Sequence, residues 1–580
     1  MSTNLATSPT RPGRPPARRR RRLLLRLLAG ALALGLVGIL GLAGLAAWFW
    51  SQADISNVGQ LRFANQLKIP PLLQPRVDGT GRKIFDLHLQ QDTSELLAGK
   101  PTQTWGANGT YLGPTIRAAR GDQVVMNVAN GLPEPTTIHW HGMHLPAAAD
   151  GGPHQTMAPG QTWSPTWRID QPAATLWYHP HLHGRTEDHV YRGVAGLFLL
   201  DDPEAAALPL PDRYGVDDIP VILQDKRFDR EGNLDFGQSP FSPIGRLGDQ
   251  LLVNGTHDPH LNIRHQRVRL RLLNASTARI YHVGFADNRP FELVGTDGGL
   301  LERPHSTTRL PLSPGERAEI VATFRPGERV VLRSFPPDLG LDRFQGRFAG
   351  ADDTFDLLQL RAGATLTTSP PVPDRLVRHQ QLDDAEVVTT RRLELNGSSR
   401  INNLRMDLGR IDQTVTIDTI EVWEVANRSG NPHNFHVHGV QFKVTTDADN
   451  APPPQLAGWK DTVFIPPGGT ARLLVRLPGY ADPAVPYMFH CHLLQHEDNG
   501  MMGQFVVVQP GQPPGQPPVA SAPRLNPAGR PIRESQRQEE RHHGAGRGAG
   551  PGQGEDRQGQ HRPPPNLGGG GDAGPGPPLR

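Results

Sequence analysis

"GDQVVMNVANG", residues 121–131, alternates apolar and polar side chains and closes on Asn130. That alternation is the signature of a half-buried strand. The pattern returns as "HQRVRLRLLNAS" (265–276) and "DTIEVWEVANRSG" (418–430), closing on Asn274 and Asn427, at spacings of 144 and 153 residues. A second marker follows each copy: "APGQTWSPTWRI" (158–169), "SPGERAEIVATF" (313–324) and "PPGGTARLLVRL" (466–477), a Pro-Gly turn feeding another alternating strand, at spacings of 155 and 153. Two markers in one order at one period imply three copies of one β-domain. Short strands with frequent Pro and Gly make each copy a sandwich or Greek-key barrel. The expected divisions are 55–203, 204–374 and 375–510, the second boundary lying at the proline-rich "TTSPPVPDR" (367–375).

The two ends are not domains of this kind. Residues 1–54 hold Arg18 to Arg22 and then an uncharged apolar run from Leu27 to Trp50, long enough to span a bilayer. Arg21-Arg22-Leu23-Leu24-Leu25-Arg26 looks like a twin-arginine export signal; a basic stop-transfer cluster is the alternative. Both readings put the bulk of the chain outside the cytoplasm, in the periplasm or cell envelope, and Trp48-Phe49-Trp50 suits an interfacial anchor with no clean small-x-small cleavage site after it. Residues 511–580 are rich in Pro, Gly, Gln and Arg, too poor in apolar side chains to offset the entropy of ordering, and are expected to be disordered.

Of the net charge of +3, the first 50 residues contribute eight Arg and no acid, so the rest is net acidic. Nothing there calls for a nucleic-acid partner. A single Cys excludes an intrachain disulfide framework.

The three copies differ in chemistry. The first carries "HWHG" (139–142) and "LWYHPHLHG" (176–184), the third "HNFHVHG" (433–439) and "YMFHCHLLQH" (487–496), and the second only His282 at these places. Histidines two apart on a strand share a face. Four such pairs, His139 and His141, His179 and His181, His436 and His438, His490 and His492, thus offer eight imidazoles from the outer two copies. Cys491, between the last two, faces the other way, toward ligands of its own. His433, His496 and Met501 would complete two imidazoles, a thiolate and a distant thioether, the composition of a blue-copper site. Core packing is the alternative for Met501.

"HWHG", "HPH", "HNFHVH" and "HCHLLQHEDNGM" resemble, in order and full count, the four copper motifs of the three-domain multicopper oxidases. The resemblance runs from about Leu61 to Gln509 and includes "IDQPAAT" (169–175), "DNRP" (287–290), "TDGGLL" (296–301) and "AGWKDTV" (457–463), segments similar to bacterial laccase-like cuprous oxidases. It implies an all-β chain of three consecutive cupredoxin-like Greek-key barrels, acting as a monomer and carrying four coppers. The type 1 copper falls to His433, Cys491, His496 and axial Met501; the type 2 copper to His139 and His436; the type 3 pair to His141, His179, His181, His438, His490 and His492. The middle domain becomes a spacer without copper. A small-molecule reductant gives single electrons to the type 1 copper, Cys491 passes them on through His490 and His492, and O2 is reduced to water.

Oxygen reduction consumes protons, and Asp150 and Glu497 match acidic positions given that role in the family. A turn-forming Asp before Gly-Gly and a solvated surface charge are the alternatives. Cuprous oxidases add a Met-rich insertion and acidic or Met residues beside the type 1 site; here no Met cluster joins the second and third copies, and Ser429 and Asn431 precede His433. Phenols or aromatic amines are therefore the expected reductants. Cu(I) or Fe(II) oxidation and a copper-free envelope scaffold are the other readings. Asn434, where relatives often have Pro, is expected to matter little.

Overall fold

A computed structural model describes residues 17–53, 55–445, 452–477 and 479–518. The expected disordered tail lies outside these from residue 519 on. The described chain forms three two-sheet barrels in succession.

Each barrel is built on the repeated asparagine strand. In the first, Gln123–Asn130 runs parallel to Lys83–Leu97 and antiparallel to Thr162–Trp163 and Thr166–Arg168. In the second, Arg267–Asn274 lies parallel to Asp218–Lys226 and antiparallel to Arg317–Thr323. In the third, Ile420–Asn427 lies parallel to Val387–Asn396 and antiparallel to Thr470–Arg476. The same mixed pairing three times over is the structural form of the repeat.

The asparagine itself explains why its two markers travel together. The Asn130 amide donates to the Glu134 and Met157 carbonyls at 3.1 and 2.9 Å and its Oδ1 accepts from Leu132 N–H. Asn274 does the same with Arg279, Leu312 and Ser276, and Asn427 with Asn431, Ile465 and Ser429. Met157, Leu312 and Ile465 each stand immediately before the Pro-Gly turn. A buried amide thus ties the strand end to the turn in every barrel, satisfying carbonyls that irregular backbone would otherwise leave unpaired.

Against each of these sheets lies a second one. In the first barrel it is Ile116–Ala119, Gly196–Asp201, Ala174–His179 and His139–His141, and Phe85, Trp140, Leu176 and Phe198 fill the space between. In the third, Trp423 and Leu473 meet Phe435, Phe489 and Phe505. Trp177, Leu197, Ile222 and Leu273 join the first barrel to the middle one.

The apolar run forms the helix Ala17–Gln52, of which Leu24–Ser51 has a mean hydropathy of 2.2 and is long and apolar enough to cross a membrane. Before entering the first barrel the chain runs along the middle one. Ile55 N–H donates to Asp353 at 3.0 Å, and Asn65–Gln66 pairs in parallel with Pro259–His265.

Candidate metal centre

The histidine strands of the outer barrels end against each other. His139 pairs in register with His179, and His436 with His490, so period two brings the rings of both barrels to one face. His139, His141, His179, His181, His436, His438, His490 and His492 are all buried. Their ring nitrogens fall into groups within 4.8 Å: His141, His179 and His492; His181, His438 and His490; and His139, His141 and His436. Each of the first two groups takes ligands from both barrels and divides the pair His490 and His492 between them.

A fourth group, His433, Cys491 and His496, lies on the other side of that pair. Cys491 Sγ stands 3.5 Å from His433 Nδ1 and 3.7 Å from His496 Nδ1. Met501 is buried in the same apolar cluster as Cys491, and its carbonyl accepts from Cys491 N–H at 3.1 Å.

The chemistry of the donors fits a metal. His438 Nδ1 is held by Asp150 Oδ2 at 2.7 Å, leaving its Nε2 as a lone pair 3.2 Å from His490 Nε2, which His181 Nε2 also approaches at 3.1 Å. Three imidazole nitrogens converging edge to edge are the donor arrangement that a shared metal ion fits. His139 Nε2, His436 Nε2 and both nitrogens of His492 are buried without a hydrogen-bond partner. Burial pulls His181 and His492 down to about 3 and His496 to about 4, so these rings are neutral, the ligand form. Burial pushes the Cys491 thiol up to about 12, so its thiolate needs a cation beside it.

Outside the rings lies a layer of oxygen partners, as metal-ligating imidazoles require. His179 Nδ1 donates to the Pro180 carbonyl at 2.8 Å and His436 Nδ1 to the Asp461 carbonyl at 2.8 Å. Asp150 sits between His139 and His438, while Glu497 sits 3.6 Å from His181 Nδ1 and 3.2 Å from His490 Nδ1. Both carboxylates are buried. His189 is buried and held by Thr136 and Glu134, His144 is half-buried, and neither joins a group.

Several members of this layer escape sequence reasoning. Asp461 Oδ1 meets His141 Nε2 at 3.0 Å, and Arg317 of the middle barrel clamps Asp461 at 2.7 and 2.6 Å. Asp461 lies within "AGWKDTV" and Arg317 within a repeat marker, so both are visible only as pattern. The middle barrel is more than a spacer. Its Pro314 carbonyl accepts from Asn434 Nδ2 at 2.7 Å, and the Asn434 Oδ1 accepts from His492 N–H at 2.7 Å and faces Cys491 Sγ at 3.6 Å. Asn434 therefore ties the middle barrel to the thiol and to the His492 backbone, where the sequence led us to expect little from it. Gly315, at φ +86°, passes the His492 ring so closely that a Cβ would lie 3.1 Å from it.

The outer edges of the two thiol-side imidazoles are capped. Ser429 Oγ donates to Asn427 Oδ1 at 2.8 Å and accepts from His433 Nε2 at 2.8 Å, so the repeat asparagine reaches His433 through one hydroxyl. His496 Nε2–H donates to the Pro243 carbonyl of the middle barrel at 3.0 Å. Both caps leave Nδ1 free toward the sulfur.

Fold and donor set together define a copper redox protein built on three β-barrels. The multicopper oxidase family matches residues 88–205 and 368–511. The chain is 40% identical over 469 residues to the cell division protein FtsP of Xenorhabdus nematophila, covering 78% of this chain and 95% of that one. It is 34% identical to the multicopper oxidase mco of Staphylococcus aureus, with coverage of 78% and 95%. The structure of the laccase-like multicopper oxidase CueO from a lignin-degrading Ochrobactrum superimposes with a TM-score of 0.69 at 36% identity, covering 76% of this chain and all of that one. The chain belongs to the three-domain multicopper oxidases, with cupredoxin-like barrels, and the family implies copper, a reductant and O2.

Proposed function

We propose that this chain is an exported, laccase-like oxidase holding four coppers. His433, Cys491 and His496, with Met501, would hold the type 1 ion; His141, His179 and His492, and His181, His438 and His490, the type 3 pair; His139 and His436 the type 2 ion. Copper in these places supplies one-electron uptake from a reductant and four-electron reduction of O2 to water. The carrying observation is the division within three consecutive residues: Cys491 faces one donor group while His490 and His492 face two others. The protein's own part is to fix those rings in one tautomer, exclude water from them and bring protons to their rim. Asp150 and Glu497, each against two ligand imidazoles, are the residues placed to hold such protons.

Phenols and aromatic amines are the proposed reductants. Ser429 is engaged with Asn427 and His433, and neither it nor Asn431 is an acidic or thioether group that would seat a metal-ion substrate. The name of the Xenorhabdus relative, a cell division protein, supports a second reading, a scaffold acting in cell division; the neutral, convergent imidazoles favour the oxidase. Metal analysis with absorption and spin-resonance spectra tests it. Four coppers per chain, a blue colour and phenol oxidation under air are expected; fewer than three coppers would break the cluster, and a protein colourless after copper loading would return the scaffold reading.

A further inference from the structure

The apolar helix ends against the part of the body that caps His496. Phe49 packs edge-on to Phe241 at 5.3 Å, Trp50 stacks on Phe344 at 5.6 Å, and Arg347 Nε donates to the Trp50 carbonyl at 2.8 Å. Trp48, Phe241 and Phe344 stay 56%, 46% and 53% exposed, a collar of aromatic rings around the end of a 28-residue apolar helix. Such a collar is what the interface of a bilayer covers. With that helix in a bilayer, the turn around residues 238–247, which Phe49 touches through Phe241, would lie at the membrane surface.

Between collar and turn lies a cleft of about 520 Å³, walled by Trp48 and Phe49 on one side and by Gln238, Ser239 and Ser242 on the other, with Arg227 among its polar groups. Its lining adjoins the cap of His496 in the chain. Ser242 lines the cleft, and the carbonyl of the next residue, Pro243, is the acceptor of His496 Nε2–H. Gln238 is hydrogen-bonded to Gln495, the neighbour of His496, at 2.9 Å. His496 is itself buried, and this turn covers its Nε2 edge.

We propose that the cleft takes a lipid-soluble hydroquinone from the membrane, its hydroxyls on Gln238, Ser242 and Arg227 and its tail along Trp48 and Phe49. This rests on the oxidase reading and names its reductant. Each hydroquinone loses two electrons and two protons to become the quinone. Two of them supply the four electrons and four protons that turn one O2 into two waters. The volume suits a ring of this size with part of its chain, and the aromatic walls and polar floor match its two ends.

The test uses the full chain in phospholipid vesicles. A photoreactive azido analogue of decylubiquinone is irradiated with copper-free protein, and labelled peptides are mapped by mass spectrometry. Label on residues 238–249 and 48–53 is expected, falling at least tenfold in Ala53→Trp, which fills the cleft, and in Ser239→Trp, with the melting temperature of each variant checking its fold. Copper-loaded variants should oxidise decylubiquinol in vesicles at least tenfold more slowly while keeping the blue absorption. Label elsewhere, or label unchanged in both folded variants, overturns the cleft. An active oxidase without that label overturns the cleft alone; a labelled protein that takes up no copper overturns the oxidase reading and the electron route with it.

Discussion

At the scale of single residues, the proposed electron route rests on Cys491 and its neighbours. Cys491→Ser removes the only thiol and should abolish the blue absorption and turnover while leaving the type 3 copper bound, as copper analysis and spin-resonance spectra would show. Asp150 sits against His139 and His438. Asp150→Asn should therefore retain copper and colour but slow reoxidation of the reduced protein by about 10- to 100-fold, the usual range for a group behind a metal ligand. Unchanged reoxidation in a stopped-flow trace would remove Asp150 from the proton supply. Both residues were legible because they lie beside the histidine motifs in the chain. Asp461 and Arg317 were not: nothing local marks an acid and a guanidinium 144 residues apart as one buried pair.

The elements carry the repeat, and their energetics can be measured away from the metal. Asn274 Nδ2 donates to the Arg279 and Leu312 carbonyls at 2.8 Å in a barrel that holds no imidazole of the clusters. Asn274→Ala leaves buried carbonyls unpaired and should cost roughly 1–3 kcal/mol in urea unfolding with no change in copper content. Gly315→Ala tests the opposite coupling. A residue at φ +86° is strained by a side chain, and the new Cβ would press on the His492 ring. We expect both a lower melting temperature and an altered type 3 copper spectrum from that one methyl; an unaltered spectrum would uncouple the turn from the cluster. The strand pattern predicted the element that Asn274 closes, but not that the turn after it would lie against the His492 ring of another barrel.

At the scale of the molecule, the barrels are joined by buried charge as well as by apolar contact. Glu319 of the middle barrel accepts from Thr175 of the first and is paired with Arg269 and Arg271; these guanidiniums outweigh its burial and hold it at about 2, below the ordinary 4.5. A folded-state value below the unfolded one stabilises the protein above about pH 4.5, and that share, on the order of 3 kcal/mol, is lost as pH falls toward 2. Glu319→Gln should make unfolding less steep in that window; an unchanged acid profile would assign the acid sensitivity elsewhere. The helix Leu24–Ser51 gives the second prediction at this scale. The full chain should stay with the membrane fraction through high-salt and carbonate washes, and recovery in the supernatant would mean that the helix is not an anchor.

The chain's own order determined the three barrels, because a repeat is local periodicity copied along the sequence. It also determined the four His-x-His faces, because a strand's alternation needs no partner to define it. Which imidazoles converge was decided by the docking of the barrels: His490 and His492, two residues apart, go to different groups, and each group draws on residues more than 300 positions away. The clamp of Arg317 on Asp461, the hold of Asn434 on the thiol and the seating of the helix end against Phe241 and Phe344 are likewise decided by packing. They depend on which surfaces bury each other, and burial between distant segments is decided by the packing of the whole chain, not by any window along it.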